Sequence, residues 1–340
     1  MRVNRVGLLK QLQSVSPGLE KTEVIDQSHC FAFHDGGVFT FNDEVACRAK
    51  SILNIEGAVR ADPLLKVLQK MTEEEVSVEV KEGQFTVKGN KKRMDIRMDA
   101  EVMMPVEQVE KPGEWRKLPS GFLDGLSMAL SCAGRDDSQF VLTCVHVHQN
   151  FIEACDNFQL VRSLVDTGVG TPLLIRRVAV ESIVRIGADE LSETDSWAHF
   201  RTGEGLVLSC RRYADSYPDL EGLIEFEGGI ATELPQGLTG AVNRAEILTL
   251  ENKESNRVTI ELRDGCIRLE GQGPSGRYRE MIECPFDGEP IRFRISPKLL
   301  MEIVRRKTGC ILGDKAIKVK GDKFIYISCV AKPEDYDGED

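Results

Sequence analysis

Apolar and polar residues alternate along most of this chain with the period of a β-strand, and the alternating runs come in pairs. Val76-Ser77-Val78-Glu79-Val80 alternates, Lys81-Glu82-Gly83 turns the chain, and Gln84-Phe85-Thr86-Val87 returns it, which predicts a hairpin. AHFRTGEGLVLSC from Ala198, VTIELRDGCIRLEG from Val258 and IKVKGDKFIYISCV from Ile317 have the same form. Each carries a Gly where a tight turn needs positive φ. Helical periodicity is confined to short segments. Val6, Leu8, Leu9 and Leu12 form one apolar stripe, with Arg5 and Lys10 off it. Phe122, Leu123, Leu126, Met128 and Leu130 form a second, ended by Gly134, and Ala241 to Leu250 forms a third.

A larger unit recurs three times: a strand, a Gly-bearing loop, a second strand, then a helix carrying basic residues. The copies are VACRAKSILNIEGAVRADPLLKVLQKM from Val45, LVRSLVDTGVGTPLLIRRVAVESIVRI from Leu160 and YREMIECPFDGEPIRFRISPKLLMEIV from Tyr278. Their helices are predicted to begin near Arg60, Arg176 and Ser296, at spacings of 116 and 120 residues. A period that long marks a repeated domain rather than a solenoid unit. Two helices per module against many antiparallel strands predict an α+β domain repeated three times. Pro and Gly cluster near Pro112 to Lys117 and Tyr217 to Leu234. These breaks place the modules at 1–115, 116–225 and 226–333, followed by an acidic tail at 334–340.

At 340 residues, each third is long enough to bury its own core, and 41% apolar with 29% charged residues is an ordinary globular composition. Ten cysteines form no C-x-x-C pair and scatter through apolar strands, as Cys144, Cys210, Cys284 and Cys329 do. They are expected as small buried hydrophobes in a reducing compartment, not as disulfides or zinc ligands. No signal peptide and no apolar run near the ~20 residues of a membrane helix is evident, so the expectation is a cytoplasmic protein with no membrane partner.

A net charge of −11 argues against a generic nucleic-acid binder unless the positive charge is gathered on one face. The three recurrent helices supply that exception. Lys66 and Lys70 stand against Asp62 in the first copy, and Arg176, Arg177 and Arg185 against Glu181 in the second. In the third, Lys298, Arg305, Arg306 and Lys307 stand against Glu302. Any one such helix reads by default as a solvated face. Repeated at equivalent positions, the cations would focus a polyanion onto one surface and hold phosphates without reading sequence.

With those residues in view, the chain resembles the bacterial-type DNA sliding clamp, the β subunit of DNA polymerase III, from about Val3 to Pro333. AVNRAEILTLENKESNRVTIELRDGCIRLEGQG from Ala241, followed by the third copy above, is similar to that family's third domain. CDNFQLVRSLV from Cys155 is similar to its "TDGHRLA" segment, and Tyr217-Pro218-Asp219-Leu220 to the "FPDY" that closes the second domain. The first third is placed by its repeat pattern. The resemblance implies a non-catalytic homodimeric ring, lined by helices, that encircles double-stranded DNA. Such a ring tethers a replicative polymerase and meets a clamp loader. It needs no cofactor and no metal. The implied DNA-facing residues are Arg5, Lys10, Lys66, Lys70, Arg176, Arg177, Arg185, Lys298, Arg305, Arg306 and Lys307. The implied partner-peptide groove matches Cys155, Leu160 and Leu223, with Val330 and Pro333 near the C-terminus. On residue type alone, Leu160 and Leu223 read equally as core leucines.

Departures from the pattern are local. Phe158 and Gln159 replace a polar-basic pair, Cys155 replaces Thr, and Lys332-Pro333 runs into the acidic tail Glu334 to Asp340 where the family ends in an apolar "MP" segment. These point to a diverged or phage-encoded member serving a different polymerase.

Rival chemistries find less support. Gly271, Gly273 and Gly276 spell G-x-G-x-x-G, but Pro274 interrupts the motif and a strand, not a helix, is predicted after it. The expectation is a hairpin loop. His146 and His148 share a strand face with no third ligand at a recognisable spacing. No nucleophile-base or paired-carboxylate arrangement stands out. A three-domain scaffold that binds peptides, with its basic helices merely solvated, remains the alternative.

Overall fold

The structure, a computed structural model, describes residues 1–225, 228–251, 256–306 and 309–332. Among them are seven α-helices: α1 (Arg5–Ser14), α2 (Ala61–Lys70), α3 (Phe122–Leu130), α4 (Arg177–Ile186), α5 (Glu221–Ile224), α6 (Leu238–Thr249) and α7 (Pro297–Arg306). The three predicted helix starts are reproduced. Arg60 and Arg176 are the N-caps of α2 and α4, and α7 starts directly after Ser296. Asp62 in the first turn of α2 and Lys70 in its last complement the helix dipole. Gly187, at φ 64°, closes α4 in the left-handed conformation.

The chain divides into two compact units. The first comprises Met1–Ser127, Val145–Gln149 and Asp166–Asp215. Its antiparallel sheet has twelve strands in the order Arg2–Asn4, Glu75–Lys81, Gln84–Gly89, Lys92–Asp99, Gly57–Arg60, Cys30–His34, Gly37–Phe41, Val45–Lys50, Val207–Arg211, Trp197–Arg201, Glu190–Glu193, Arg116–Lys117. The predicted hairpin is present, with Val78 opposite Val87. Its two turn residues, Glu82 and Gly83, both have positive φ, 49° and 72°, the turn whose twist matches that of paired strands. Val45–Lys50 pairs with Val207–Arg211, so strands from the first and second sequence modules share one sheet. The core beneath includes Phe41 against Trp197 and Phe122 against Phe200. On α1 the apolar stripe is narrower than predicted: Leu8 and Leu12 are buried, whereas Val6 is exposed.

The second unit comprises Met128–Cys144, Asn150–Val165 and Ser216–Asp340. One of its sheets runs Phe151–Cys155, Gln159–Leu164, Phe324–Cys329, Ala316–Lys320, Gly309–Leu312, Ile230–Glu233. A second runs Gly276–Glu283, Cys266–Gly273, Val258–Arg263, Ile291–Ile295. The G-x-G-x-x-G segment is the hairpin expected, with Gly273 opposite Gly276. The first two glycines have a packing reason. A Cβ on Gly271 would lie 2.7 Å from the Ala245 carbonyl oxygen, and one on Gly273 would meet that of Leu248, so α6 sits directly on this sheet.

Eight of the ten cysteines are buried; Cys266 is half-buried and Cys329 exposed. Among the described residues no helix is long and apolar enough to cross a membrane, and no group of three or more His, Cys, Asp or Glu could hold a metal.

Candidate functional site

Strand alternation on the larger sheet of the second unit assembles one face from four neighbouring strands. Cys155 stands opposite Leu160, Leu160 opposite Ile327, and Ile327 opposite Lys318. Two residues along each strand, Glu153 pairs Arg162 and Arg162 pairs Ile325. The face therefore joins the apolar run Cys155, Leu160 and Ile327, flanked by Lys318, to the Glu153–Arg162 pair two residues along. Cys155, Leu160 and Ile327 pack with Leu220 and Ile224 of the α5 region into one cluster. α5 is a single turn, and tertiary ties hold it. Asp219 Oδ1 accepts the Glu221 N–H at 3.0 Å, and Tyr217 donates towards Cys155 Sγ while accepting the Cys155 N–H at 2.9 Å. Burial pushes both the Tyr217 phenol and the Cys155 thiol above their ordinary ranges.

Beside this packing lies an open cavity of about 750 Å³, walled by the 155–160 turn, Leu223, Ile230, Ile291 and Leu312. Cys155, Leu160 and Leu223, distant in sequence, are brought together along it. Leu160 is 4% exposed, at once core and cavity wall, whereas Leu223 is 58% exposed and is no core leucine. Val330 does not line the cavity; its N–H donates to the Lys315 carbonyl at 2.8 Å. Pro333 lies outside the described residues. The Phe158-Gln159 departure splits in space. Asp156 Oδ1 accepts both N–H groups, at 2.8 and 2.9 Å, leaving the Phe158 ring exposed in the cavity wall. Gln159 turns inward, where its Oε1 accepts the Tyr326 hydroxyl at 2.9 Å.

The predicted cations fall into two groups. Lys10, Lys66, Lys70, Arg185, Lys298 and Arg305 are exposed; Lys66 meets Asp62 at 2.8 Å and Arg305 meets Glu302 at 2.7 Å, pairs that water largely screens. Others are occupied by the fold itself. Arg5 donates from Nε to the Glu73 carbonyl and from Nη1 to the Leu68 carbonyl, at 2.7 and 2.8 Å, tying down the end of α2. Arg176 pairs with Glu44 at 2.5 Å, and Arg177 is half-buried. Arg306 is the clearest departure from a DNA-facing role. Its side chain is 10% exposed, lies 4.7 Å over the Tyr326 ring and donates to Ser131 Oγ at 2.5 Å. Helical spacing is the cause: Arg306 follows the buried Ile303 by three positions, whereas Arg305 points away. Lys307 lies outside the described residues.

Sequence reasoning missed Arg162, Lys318 and the turn α5 itself. A signal existed for the first, since two-residue periodicity puts Arg162 on the face of Leu160.

No family model and no curated protein matches the chain by sequence. Solved structures do match by shape. The DNA polymerase sliding clamp of Pseudomonas aeruginosa superposes with a TM-score of 0.80 at 16% identity, over 98% of this chain and 99% of that one. The DNA polymerase III β subunit of Thermotoga maritima gives 0.80 at 15%, over 97% and 98%. The DnaN sliding clamp of Bartonella birtlesii, bound to griselimycin, gives 0.82 at 15%, over 98% and 99%. The chain has the sliding-clamp fold. With 97–98% of this chain covered, the basic helices and the cavity lie within that fold.

Proposed function

We propose that the protein is a DNA sliding clamp: a non-catalytic processivity subunit that encircles duplex DNA in the cytoplasm and tethers a replicative polymerase. The observation that carries this reading is the full-length clamp fold together with exposed cations on its recurrent helices. Weak phosphate contacts let a ring slide, and topology, not affinity, keeps it on DNA. The DNA-facing set is narrowed to Lys10, Lys66, Lys70, Arg185, Lys298 and Arg305, the exposed members of the larger group. Three clamp modules per chain, 1–115, 116–225 and 226–333, remain the organisation that the repeat supports.

A homodimer is the ring form proposed. Gly276–Glu283 is an edge strand; exposed Met281 lies on it, and exposed Ile247 and Leu250 lie on α6 and at its C-terminal cap. Lys92–Asp99 is paired along its length on one side but only at Met98 and Asp99 on the other. Two open edges in different parts of one chain suit head-to-tail closure by a second copy. The cavity is proposed to receive short apolar segments of polymerase and clamp loader, with Leu223 and Phe158 as exposed anchors.

The deciding experiment loads the protein onto circular DNA and then linearises it. Retention on the circle and loss from the linear form is expected. Equal retention on both, or a sedimentation mass of one chain at micromolar concentration, counts against the ring.

A further inference from the structure

Arg162 is an anomaly on the cavity-bearing sheet: an arginine whose side chain is only 9% exposed, opposite Glu153, whose side chain is 3% exposed. Its Nε and Nη2 reach Glu153 Oε2 at 2.8 and 2.7 Å, and its plane lies 4.1 Å from the Phe151 ring centre. A buried pair would already be electrically complete. Yet Nη1 extends further and meets Glu221 Oε1 at 2.5 Å, on the first residue of α5. At the other end of that turn, Lys318 Nζ donates to the Ile224 carbonyl at 2.6 Å. Arg162 and Lys318 share the sheet face under α5, so one turn of helix is fastened at both ends by cations from two strands.

Leu223 lies between those fastenings. A four-residue turn has no helical stability of its own, and Gly222, immediately before it, leaves the backbone permissive. Leu220 and Ile224 face the core, while Leu223 faces the cavity. The position of the exposed leucine is therefore set by whatever orients the turn. We infer that Arg162, acting through Glu221, is a positioning residue for the cavity: it holds α5 in the orientation that presents Leu223 to an apolar partner segment. This rests on the reading of the cavity as a peptide groove. Because Glu153 also pairs with Arg162, at 2.7 Å, the Glu221 arm can be released without leaving the guanidinium bare. The latch is thus separable from the stability of the sheet.

The test uses the full-length protein, Glu221→Gln, Leu223→Ala and the double variant. The probe is an acetylated leucine-rich pentapeptide amide, chosen for the apolar side chains that line the cavity. Amide exchange of Ile224 and Glu225, whose N–H groups bond within the turn to Leu220 and Glu221, is followed in parallel. Glu221→Gln is expected to weaken peptide binding about tenfold, by letting the turn leave the orientation that presents Leu223, and to speed exchange in α5, with an unfolding midpoint that falls far less than that of Arg162→Ala. In the Leu223→Ala background the same change is expected to have no further effect on binding, because the latch acts through that side chain. Additive losses, or unaltered exchange in Glu221→Gln, overturn the positioning role. Undiminished binding by Leu223→Ala instead removes the groove reading, and the inference with it.

Discussion

The cavity wall and the basic helices distribute charge in opposite ways. Behind the cavity wall, Arg162 and Glu153 are buried and paired, while Leu223 in the wall is left in water. On α2, α4 and α7, apolar residues are buried and most charges stand in solvent. A buried charge here fastens architecture, an exposed leucine is free to bind, and an exposed cation is free to meet a polyanion. Arg305 and Arg306, neighbours on α7, show that one residue step decides between these uses: one is 72% exposed, the other a core contact.

The sharpest break of this contrast is to empty the buried side of it. Arg162→Ala leaves Glu153 buried without its partner and is expected to destabilise the fold by about 3–5 kcal/mol, read as a fall in urea midpoint. A midpoint shift of less than a third of that would mean that water reaches Glu153. Leu160→Ala, deleting a wall residue that is also core, is expected to remove about 2–5 kcal/mol by the same measurement.

His199 extends the comparison to a buried group that is kept neutral. It is fully buried, with Nδ1 2.8 Å from Ser209 Oγ and Nε2 3.1 Å from Thr194 Oγ1. Desolvation lowers its pKa from 6.5 to about 4, against a smaller opposing effect from Glu110. As pH falls, the unfolded chain therefore takes up the proton first. The stabilisation is complete above about pH 6.5 and is lost on descending to about 4, at a slope of up to about 1.4 kcal/mol per unit. His199→Gln should flatten that part of the stability profile. An unchanged profile would place the acid sensitivity in carboxylates instead.

Arg306→Ala should cost about 1–3 kcal/mol through the lost ring contact and hydrogen bond, whereas Arg305→Ala should leave the unfolding midpoint in place. On DNA the order reverses. Arg305→Ala is expected to lower the salt-dependence slope of binding by about 1. Equal effects of the two variants in both assays would erase the distinction between structural and DNA-facing cations.

Much of this was legible beforehand, for identifiable reasons. The starts of α2, α4 and α7 could be read because a strand pattern gives way at Arg60, Arg176 and Ser296 to helical spacing. The 271–276 hairpin could be read because Pro274 denies a helix, although the reason for its glycines, the approach of α6, is tertiary. α5 could not be read: four residues carry no period, and the strand Ile230–Glu233 lay in a stretch rich enough in Gly to look like a boundary. Burial of Arg176 and Arg306 was equally hidden, since Glu44 and Ser131 are far off in sequence. Residue type announces a cation; only the fold says whether it is already occupied.

The smallest stability change is expected where the sequence left two readings of a leucine. Leu223→Ser removes a side chain that is mostly in water, so the unfolding midpoint should move by no more than about 0.5 kcal/mol equivalent. Polymerase stimulation should nevertheless fall sharply, because a polar group at that point leaves the cavity without its exposed anchor. On the proposed function, the same assay on Arg305→Ala with saturating protein on a circular template should show stimulation retained, because tethering would then depend on the wall and not on any single phosphate contact. If Leu223→Ser lost both stability and stimulation, Leu223 would be a structural residue after all, and the division between a charge-fastened wall and a free apolar anchor would have to be withdrawn.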